Sequence, residues 1–459
     1  MRVPVSSANS GKPATLQTTT ASDDTAGLTL LRSTILIPGR GYPIPNGVVI
    51  IREGKIEWVG SMLDVPSKYR KLPTAAYATC LMPGLWDCHV HYFGLDVAAS
   101  LASGIQSFLP GHAALVGAIT VEDLRATLMA GYTSVRELGG FGTDVLPAIE
   151  KGVIVGPNIY GAVAPISITG GHGDDHACPL DIITNAQAHG SAALAVCDGV
   201  EDCLKTVRRM VRRGAKVIKV CSSGGVLSLN DDPECQQFSD EELSAIVQEA
   251  ARSKRAVAAH AIGKPGIVAA LRAGVTSIEH GIYLDEEVAD LMVEKGTYFV
   301  GTQHIIRTLM SDYLDTLPEP SKQKLLHVHD QATQSYKIAI KKGVKIAMGT
   351  DMVSSARNSK LSHGNNGREL AHAVDLGMTT LKAIESATAN GPETLGPMAP
   401  LSGQLKAGYD ADIIGVSHNP LDNIAVLGDS NNITHVWKGG QLFKKPSLAH
   451  KLEGLPMDS

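Results

Sequence analysis

The sequence predicts an α/β protein, a (β/α)8 TIM barrel with a small discontinuous β-sandwich domain formed by its N-terminal and C-terminal segments. Eight apolar strand candidates alternate with amphipathic helices along the middle of the chain, whereas β-hairpin patterns occur only near its two ends. The 459 residues are 44% hydrophobic and 19% charged, which is enough apolar material for a large core. A doubly wound sheet would alternate similarly, but no G-x-G-x-x-G follows the first strand candidate, so we favour the barrel.

The two ends of the chain are predicted to build one small domain together. From Leu28 onwards, short β-branched runs separated by glycines are typical of β-hairpins, and the same pattern returns at Ala411–Val416 and Thr434–Trp437. Neither end is long enough to bury one face of a sheet alone, so we expect both in the same domain. The predicted organisation is a disordered N-terminal tail (1–27), the small β domain (28–81 plus 399–446), the barrel (82–398) and a C-terminal tail (447–459).

The barrel strands are predicted from apolar runs in the middle of the chain. They are Leu81–His91, Tyr132–Val135, Asn158–Val163, Lys216–Cys221, Ala256–His260, Thr276–His280, Tyr298–Thr302 and Val344–Met348. Between the strands, Ser239 and Glu242 have the spacing of a capping box, which predicts the beginning of a helix. Thr120, followed by Asp123, is expected to begin an earlier helix.

Residues that bind metals stand where the predicted strands end. They are His89 and His91 on the first strand, Lys219 on the fourth, His260 on the fifth, His280 on the sixth and Asp351 after the eighth. In a barrel these ends converge on one rim, where the active sites of this fold lie. Imidazole and carboxylate groups bind zinc, and four His with one Asp exceed a single tetrahedral site that keeps an open position. We therefore predict two divalent metal ions, with zinc favoured.

Lys219 is the most informative of these residues because it lies in the apolar run Val217–Val220. A charged lysine in a buried strand is costly unless it is paired or chemically altered. Our interpretation is N6-carboxylation, in which the neutral amine reacts with carbon dioxide and the carbamate oxygens bridge two cations. A single His at a strand end is more often a hydrogen-bonded core residue than a ligand. Chance is a poor explanation for six such residues at strand ends.

Charge and composition exclude several classes of function. The formal net charge of −5 removes electrostatic support for binding nucleic acid or anionic membranes. No apolar run is long enough for a membrane span, and residues 1–27 lack the apolar segment of a secretory signal. We therefore expect a cytoplasmic protein, with a transit peptide as the alternative. Barrel enzymes of this size commonly assemble, so a homo-oligomer that acts on a small-molecule or dipeptide-like substrate is expected.

Several motifs together resemble a known family. They are Met82–His91, Gly131–Glu137, Thr169–Asp174, Lys216–Lys219 with Ser223–Val226, Ala259–Gly263, Ser277–Gly281, Gly349–Asp351 and Gly408–Asp412. On these motifs the chain resembles the metal-dependent amidohydrolase superfamily, in its binuclear, carboxylated-lysine subgroup, from about Leu28 to Lys444. Within the superfamily it is most similar to the Xaa-Pro dipeptidase, or prolidase-like, branch and to fungal ochratoxinase, an amide-cleaving carboxypeptidase-like enzyme.

The resemblance implies a role for each candidate ligand. His89, His91 and Asp351 would bind the more buried ion, His260 and His280 would bind the other, and carboxylated Lys219 would bridge both. The implied reaction is hydrolysis of an amide or peptide bond in an N-acyl amino acid, a dipeptide-like or an ochratoxin-like substrate. A metal-bridging hydroxide would attack, with Asp351 as general base and then general acid.

Three further residues are candidates for binding the substrate. His172 matches a position in the substrate pocket of the family, with bracing of its own loop as the alternative interpretation. Ser223 and Gly224 begin a tight turn next to Lys219, which would present backbone donors to the substrate. Ile262 stands where relatives often carry a second His, a departure that affects the shape of the pocket. A structural role is favoured for His176, His304 and His363.

Three other functions stay open. Hydrolysis of a cyclic amide or a lactone would use the same two-metal site. A mononuclear deaminase would carry a Glu three residues after His260, where this chain has Gly263, and it would not need Lys219. A catalytically inactive scaffold protein usually loses metal ligands, whereas all six are present in this sequence.

Overall fold

The computed structural model describes residues 26–95, 110–176, 178–189 and 194–446. The tail 447–459 and all but the last two residues of the N-terminal tail lie outside the described residues, so their disorder stays a prediction. The described strands form an eight-stranded mixed sheet, a seven-stranded parallel sheet and a three-stranded parallel sheet. Helices alternate with the parallel strands along the chain, which confirms the prediction of an α/β fold.

Strands and helices are numbered here in chain order. The strands are β1 (Leu28–Leu36), β2 (Ile44–Pro45), β3 (Gly47–Arg52), β4 (Lys55–Ser61), β5 (Thr74–Pro83), β6 (Leu85–Val90), β7 (Tyr132–Glu137), β8 (Asn158–Ile159), β9 (Pro165–Ser167), β10 (Ala195–Val196), β11 (Val217–Cys221), β12 (Ala256–Ala261), β13 (Ser277–His280), β14 (Tyr298–Val300), β15 (Lys345–Ile346), β16 (Ile413–Val416), β17 (Ile433–Lys438) and β18 (Gln441–Lys444). The α-helices are α1 (Pro110–Met129), α2 (Gly142–Glu150), α3 (Leu180–His189), α4 (Gly199–Arg212), α5 (Asp240–Arg252), α6 (Lys264–Ala273), α7 (Glu286–Lys295), α8 (Gln303–Thr308), α9 (Glu319–Lys342), α10 (Arg368–Asp375), α11 (Thr380–Ser386) and α12 (Asn390–Glu393).

The eight-stranded sheet contains strands from both ends of the chain, in the order β18-β17-β16-β5-β1-β3-β4, with β2 paired to β1. Its central strand β5 runs parallel to β1 and antiparallel to β16. The two ends therefore share one sheet, although the domain boundaries stay a prediction. β5 ends at Pro83 and β6 begins at Leu85, so Gly84 is the single residue between the eight-stranded sheet and β6, the first strand of the parallel sheets.

The parallel strands follow chain order from β6 to β8 in one sheet and from β11 to β15 in the other, where β9 pairs with β11 and β10 lies at the edge beside β9. The third predicted strand ends early, because only Asn158–Ile159 form a strand, β8, which pairs with β7. β9 lies beyond the predicted bounds and pairs with β11, and Val163 between β8 and β9 has a left-handed φ of 76°. β6 pairs with β7 along one edge. Along its other edge, the Cys88 amide donates to the Met348 carbonyl at 2.8 Å, and the His91 amide just beyond the strand donates to the Met352 carbonyl at 2.8 Å. These bonds place the carboxyl end of β6 beside the segment that follows β15.

Helix ends agree with the predicted capping box and disagree with one other expectation. Ser239 caps α5, with its side chain accepting from the Glu242 amide and the Glu242 side chain bonding back to the cap. Thr120 does not begin a helix, because it is buried within the continuous helix α1. Buried Val116 and Leu124 flank it at helical spacing, so packing keeps the backbone helical through this point. None of the described helices is both long enough and apolar enough to cross a membrane.

Candidate metal centre

The end of β6 brings the first two predicted ligands to the edge of the sheet. Asp87, His89 and His91 share one face because side chains along a strand repeat every two residues. Asp87 lies deepest and is fully buried; its carboxylate accepts from the His89 amide at 3.1 Å and from the Thr350 hydroxyl at 2.6 Å. Burial raises the pKa of Asp87 to about 6. Asp87 thereby ties the end of β6 to the segment that carries Asp351.

Asp351 meets both histidines of β6. Its Oδ1 lies 3.2 Å from His91 Nε2 and 3.5 Å from His89 Nε2, so the three predicted ligands of the first ion converge. Its backbone has a left-handed φ of 58°, and its amide donates to the His89 carbonyl at 2.7 Å. Burial alone would raise the pKa of Asp351, but the nearby His89, His91 and Lys219 outweigh burial and hold this pKa below its ordinary value.

His260 and His280 supply the opposite side of the site. Their ring centroids are 4.7 Å apart, and the His280 ring lies 5.0 Å from that of His89. His260 Nε2 bonds to the Gly224 carbonyl at 3.0 Å and His280 Nδ1 bonds to the Thr302 hydroxyl at 2.8 Å. Each bond occupies one ring nitrogen and leaves the other for a metal, which is the usual arrangement of metal-binding histidines.

The donor atoms are close enough to share small cations. One ligand atom each from His89, His280 and Asp351 lie within 4.8 Å of one another. Burial, followed by the charges of neighbouring groups that include Lys219, lowers the pKa of His89, His260 and His280 well below the ordinary value. The imidazoles are therefore neutral, which is the state that binds metal.

Lys219 lies within this group of side chains. Its Nζ is buried and has no hydrogen-bond partner among the described residues. Burial lowers the pKa of the amine. An unpaired ammonium ion in such a place would be strongly destabilising. The carbamate formed by carboxylation of the neutral amine would instead be paired with the bound cations. The residues present thus suit a metal centre bridged by a modified lysine.

A buried ion pair beneath the ligands was not predicted from the sequence. Glu279 Oε2 lies 2.9 Å from His89 Nδ1, and Glu279 Oε1 lies 2.7 Å from Arg136 Nη2. Arg136 also donates to the Cys88 carbonyl at 2.7 Å and to Ser277 Oγ at 2.8 Å. The side chains of Glu279 and Arg136 are completely buried. The sequence feature that could have indicated this pair is Arg136, a charged residue that directly follows the predicted strand Tyr132–Val135.

Replacing Glu279 with glutamine is expected to lower the free energy of unfolding of the metal-free protein by about 3–5 kcal/mol, because Arg136 would keep a buried charge without its counter-ion. Urea unfolding measures this change. The matched control is Glu249→Gln, whose partners Arg208 and Arg252 are 60% and 66% exposed, and it should lose much less stability. Equal losses in the two variants would contradict the role given to the buried pair.

His172 lies at the cavity next to the predicted ligands. Its ring stacks on that of His260 with centroids 4.1 Å apart, and burial lowers its pKa to about 4. The cavity, about 70 Å³, is lined by His172, His260, His280 and Asp351 together with Val226, Leu227, Ile262, Ile282, Ile305, Ile306, Leu309 and Leu325. His172 therefore lines the same cavity as three of the predicted ligands, and its contact with substrate stays a prediction.

The other candidate residues use their polar groups within the protein. Ser223 Oγ accepts from the Ile262 amide at 2.8 Å, and the Gly224 carbonyl orients His260. Substrate binding by Ser223 and Gly224 stays a prediction. Three further histidines bond to backbone carbonyls and do not line the described cavity: His176 to Gly171, His304 to Lys360 and His363 to His91.

Comparisons with known proteins identify the family of this chain. The model of the amidohydrolase family matches residues 80–443. The chain is 44% identical to ochratoxinase from Aspergillus niger over 438 residues, covering 93% of this chain and 89% of that protein. The crystal structure of A. niger ochratoxinase superposes with a TM-score of 0.84, covering 92% of this chain and 97% of that one at 43% identity.

Prolidase structures are similar as well. A Xaa-Pro dipeptidase with bound methionine in its active site has a TM-score of 0.77 and 30% identity, covering 91% of this chain and 100% of that one. A prolidase complexed with N-methylphosphonate-L-proline has a TM-score of 0.80 and 31% identity, with the same coverage of 91% and 100%. The predicted resemblance is confirmed: this chain belongs to the amidohydrolase family and is a hydrolase that acts on amide bonds.

Proposed function

We propose that this chain is a two-metal hydrolase of amide or peptide bonds, built on a closed (β/α)8 barrel. His89, His91 and Asp351 would hold one ion, His260 and His280 would hold the other, and carboxylated Lys219 would lie between them. The observation that carries the proposal is the buried Lys219 amine, which has no partner among the described residues and is surrounded by neutral imidazoles. Zinc is the proposed metal, since His and carboxylate ligands suit it.

Asp351 is the residue that moves the proton in the proposed reaction. When bound, two divalent ions supply a hydroxide nucleophile near neutral pH and polarise the scissile carbonyl. Asp351 lines the cavity, and its side chain is 19% exposed, so its carboxylate is open to the space where the attacking water and the leaving nitrogen would lie. Its lowered pKa keeps it ionised and ready to accept a proton. Glu279 bonds to His89 Nδ1 and so orients the ring with Nε2 left to bind the ion.

The cavity lining indicates the kind of substrate. Eight aliphatic side chains face the cavity, and no Lys or Arg occurs among its described lining residues. Burying an apolar group against such a wall contributes about 25 cal/mol for each Å² removed from water. Ile262 extends this wall where relatives often carry a histidine. The proposed substrate is therefore an N-acyl amino acid or dipeptide-like amide with an apolar group next to the scissile bond, in agreement with the ochratoxinase and prolidase relatives.

A hydrolysis screen tests the proposal. The metal-loaded protein would be assayed against N-acyl amino acids, Xaa-Pro and Xaa-Phe dipeptides, cyclic amides and lactones. We expect turnover of linear amides, increasing with the apolar character of the group next to the bond. Turnover confined to lactones or ring amides would replace the linear-amide proposal with the cyclic alternative.

Metal content is expected to be close to two divalent ions per chain after loading and removal of free metal, because six ligating side chains converge. Elemental analysis by mass spectrometry measures it. A fully folded and active protein with no bound metal would contradict the two-metal proposal. Activity should disappear with a strong chelator and return with zinc, which provides the control for irreversible damage.

A further inference from the structure

His172 is the one histidine among the described cavity-lining residues that is not a proposed metal ligand. Its Nδ1 lies 2.9 Å from Ser228 Oγ. The ring lies so close to Gly225 that a Cβ there would be 2.1 Å from Nδ1, which only glycine permits. Among the described residues Nε2 has no hydrogen-bond partner, and it is the ring nitrogen left to meet a substrate.

The direction of the bond between His172 and Ser228 follows from the second partner of the hydroxyl. Ser228 Oγ makes a short hydrogen bond to Asp231 Oδ1. Although burial raises the pKa of Asp231, hydrogen bonds from Ser228 and Lys324 outweigh it, so the pKa is lowered and the carboxylate is ionised. Ser228 Oγ also lies 3.2 Å from the Gly225 carbonyl. A carboxylate and a carbonyl only accept, so the one hydroxyl hydrogen of the serine goes to Asp231 or to Gly225 and is not available to His172. The Ser228 oxygen therefore accepts from His172 Nδ1–H, and the lone pair is left on Nε2.

Lys324, on α9, holds Ser228 and Asp231 in place, although these two residues lie in the segment between β11 and α5. Its Nζ donates to Asp231 Oδ1 at 2.9 Å and to the carbonyls of Gly225 and Ser228 at 3.1 and 2.9 Å. The side chains of Asp231 and Lys324 are only 4% and 14% exposed. Gln237 adds a second link, because its amide nitrogen donates to Asp231 at 3.2 Å while its oxygen accepts from the His172 backbone at 3.1 Å.

We propose that Ser228, Asp231 and Lys324 are positioning residues that keep His172 in its Nδ1–H tautomer, so that Nε2 accepts a hydrogen bond from the N–H of the scissile amide. This inference rests on the proposed amide hydrolysis and adds a specificity element to it. An ester or a prolyl amide has no hydrogen at that position and leaves Nε2 unpaired. The aliphatic side chains that line the rest of the cavity cannot donate a hydrogen bond to Nε2 in its place.

Ser228→Ala tests the proposal with three substrates that share the same acyl group. They are N-benzoylglycyl-phenylalanine, its ester analogue N-benzoylglycyl-phenyllactate, and N-benzoylglycyl-proline. Loss of the orienting hydroxyl should lower kcat/KM for the phenylalanine amide by about 10- to 100-fold, the usual effect of removing such a partner. The ester and the prolyl amide should be hydrolysed at the wild-type rate. Metal content should not change, because none of the three positioning residues is a proposed ligand.

Matched variants separate positioning from general damage. Ser228→Thr keeps the hydroxyl and should restore amide hydrolysis, and Asp231→Asn should reproduce the selective loss. Ser335→Ala removes a buried hydroxyl elsewhere in the protein, bonded to the Ala332 carbonyl on α9, and should affect no substrate. An equal loss on all three substrates in Ser228→Ala, or no loss on any, would overturn the proposal. Failure of the wild-type protein to cleave any of the three would instead refute the proposed function on which it rests.

Discussion

Replacing Lys219 with alanine is expected to abolish metal-dependent amide hydrolysis, with a loss of at least about a thousandfold in kcat. The variant removes the group that would hold two cations together and neutralise part of their charge. Bound metal should fall below two ions per chain in the same protein. Steady-state assays at saturating metal, combined with elemental analysis, measure both effects.

The Lys219→Ala variant also allows a rescue experiment. Acetate or propionate should restore part of the activity, because a free carboxylate can occupy the space of the missing carbamate. Lys216→Ala, three residues earlier along the chain at the other end of β11, is the matched control and should keep full activity. The metal-free Lys219→Ala protein should unfold at a urea concentration no lower than wild type, since it no longer buries an unpaired amine. Undiminished hydrolysis in Lys219→Ala would remove the bridging role.

Asp351→Asn is expected to lower kcat by about 100- to 10,000-fold, the range attributed to general acid–base catalysis. Asparagine keeps the size of the side chain and an oxygen that can face a cation, but it cannot take a proton from water. KM should change much less than kcat, because the aliphatic wall that would bind substrate is untouched. Rate measurements across a pH series check the assignment, since the activity that remains should no longer require an ionised carboxylate.

A control and a contrary outcome complete the Asp351 test. Asp330→Asn removes an aspartate whose side chain is 94% exposed, and it should leave kcat unchanged. Retention of wild-type kcat in Asp351→Asn, with two ions still bound, would show that another group moves the proton. The variant should still fold, because the backbone bond from Asp351 to the His89 carbonyl does not depend on the side chain.

The convergence of the candidate ligands at the ends of β6 and β11 was predictable from sequence for a simple physical reason. Strand periodicity places His89 and His91 on one face, and burial makes a lysine at position 219 costly without a partner. The parallel arrangement then brings the strand ends to a common edge. Family resemblance added the division of the ligands between two ions.

Backbone conformation explains much of what the sequence could not predict. Glu279 and His280 are neighbours in β13 and would point to opposite faces of a regular strand, yet both contact His89. The left-handed φ of 68° at His280 turns its ring toward the site. Thr302, with a φ of 42°, bonds to that ring from the short segment between β14 and α8. Such strained conformations depend on tertiary contacts that no local pattern reveals.

Hydrogen bonds between residues far apart in the chain could not be predicted from the sequence either. Lys324 reaches Asp231 and Gly225 from a helix almost a hundred positions away in the chain, and no local pattern links these residues. The error at Thr120 has the same origin. Its sequence context favours a cap, but packing of α1 on both sides keeps the helix continuous.

The single residue between β5 and β6 has a mechanical consequence. Gly84 donates its amide to the Asp412 carbonyl at 2.9 Å, and a Cβ at this position would come within 2.1 Å of the Thr133 hydroxyl. No linker longer than this one residue separates β5, the central strand of the eight-stranded sheet, from β6, the strand that leads to His89 and His91. The eight-stranded sheet and the strand that leads to the candidate metal ligands should therefore melt as one cooperative unit.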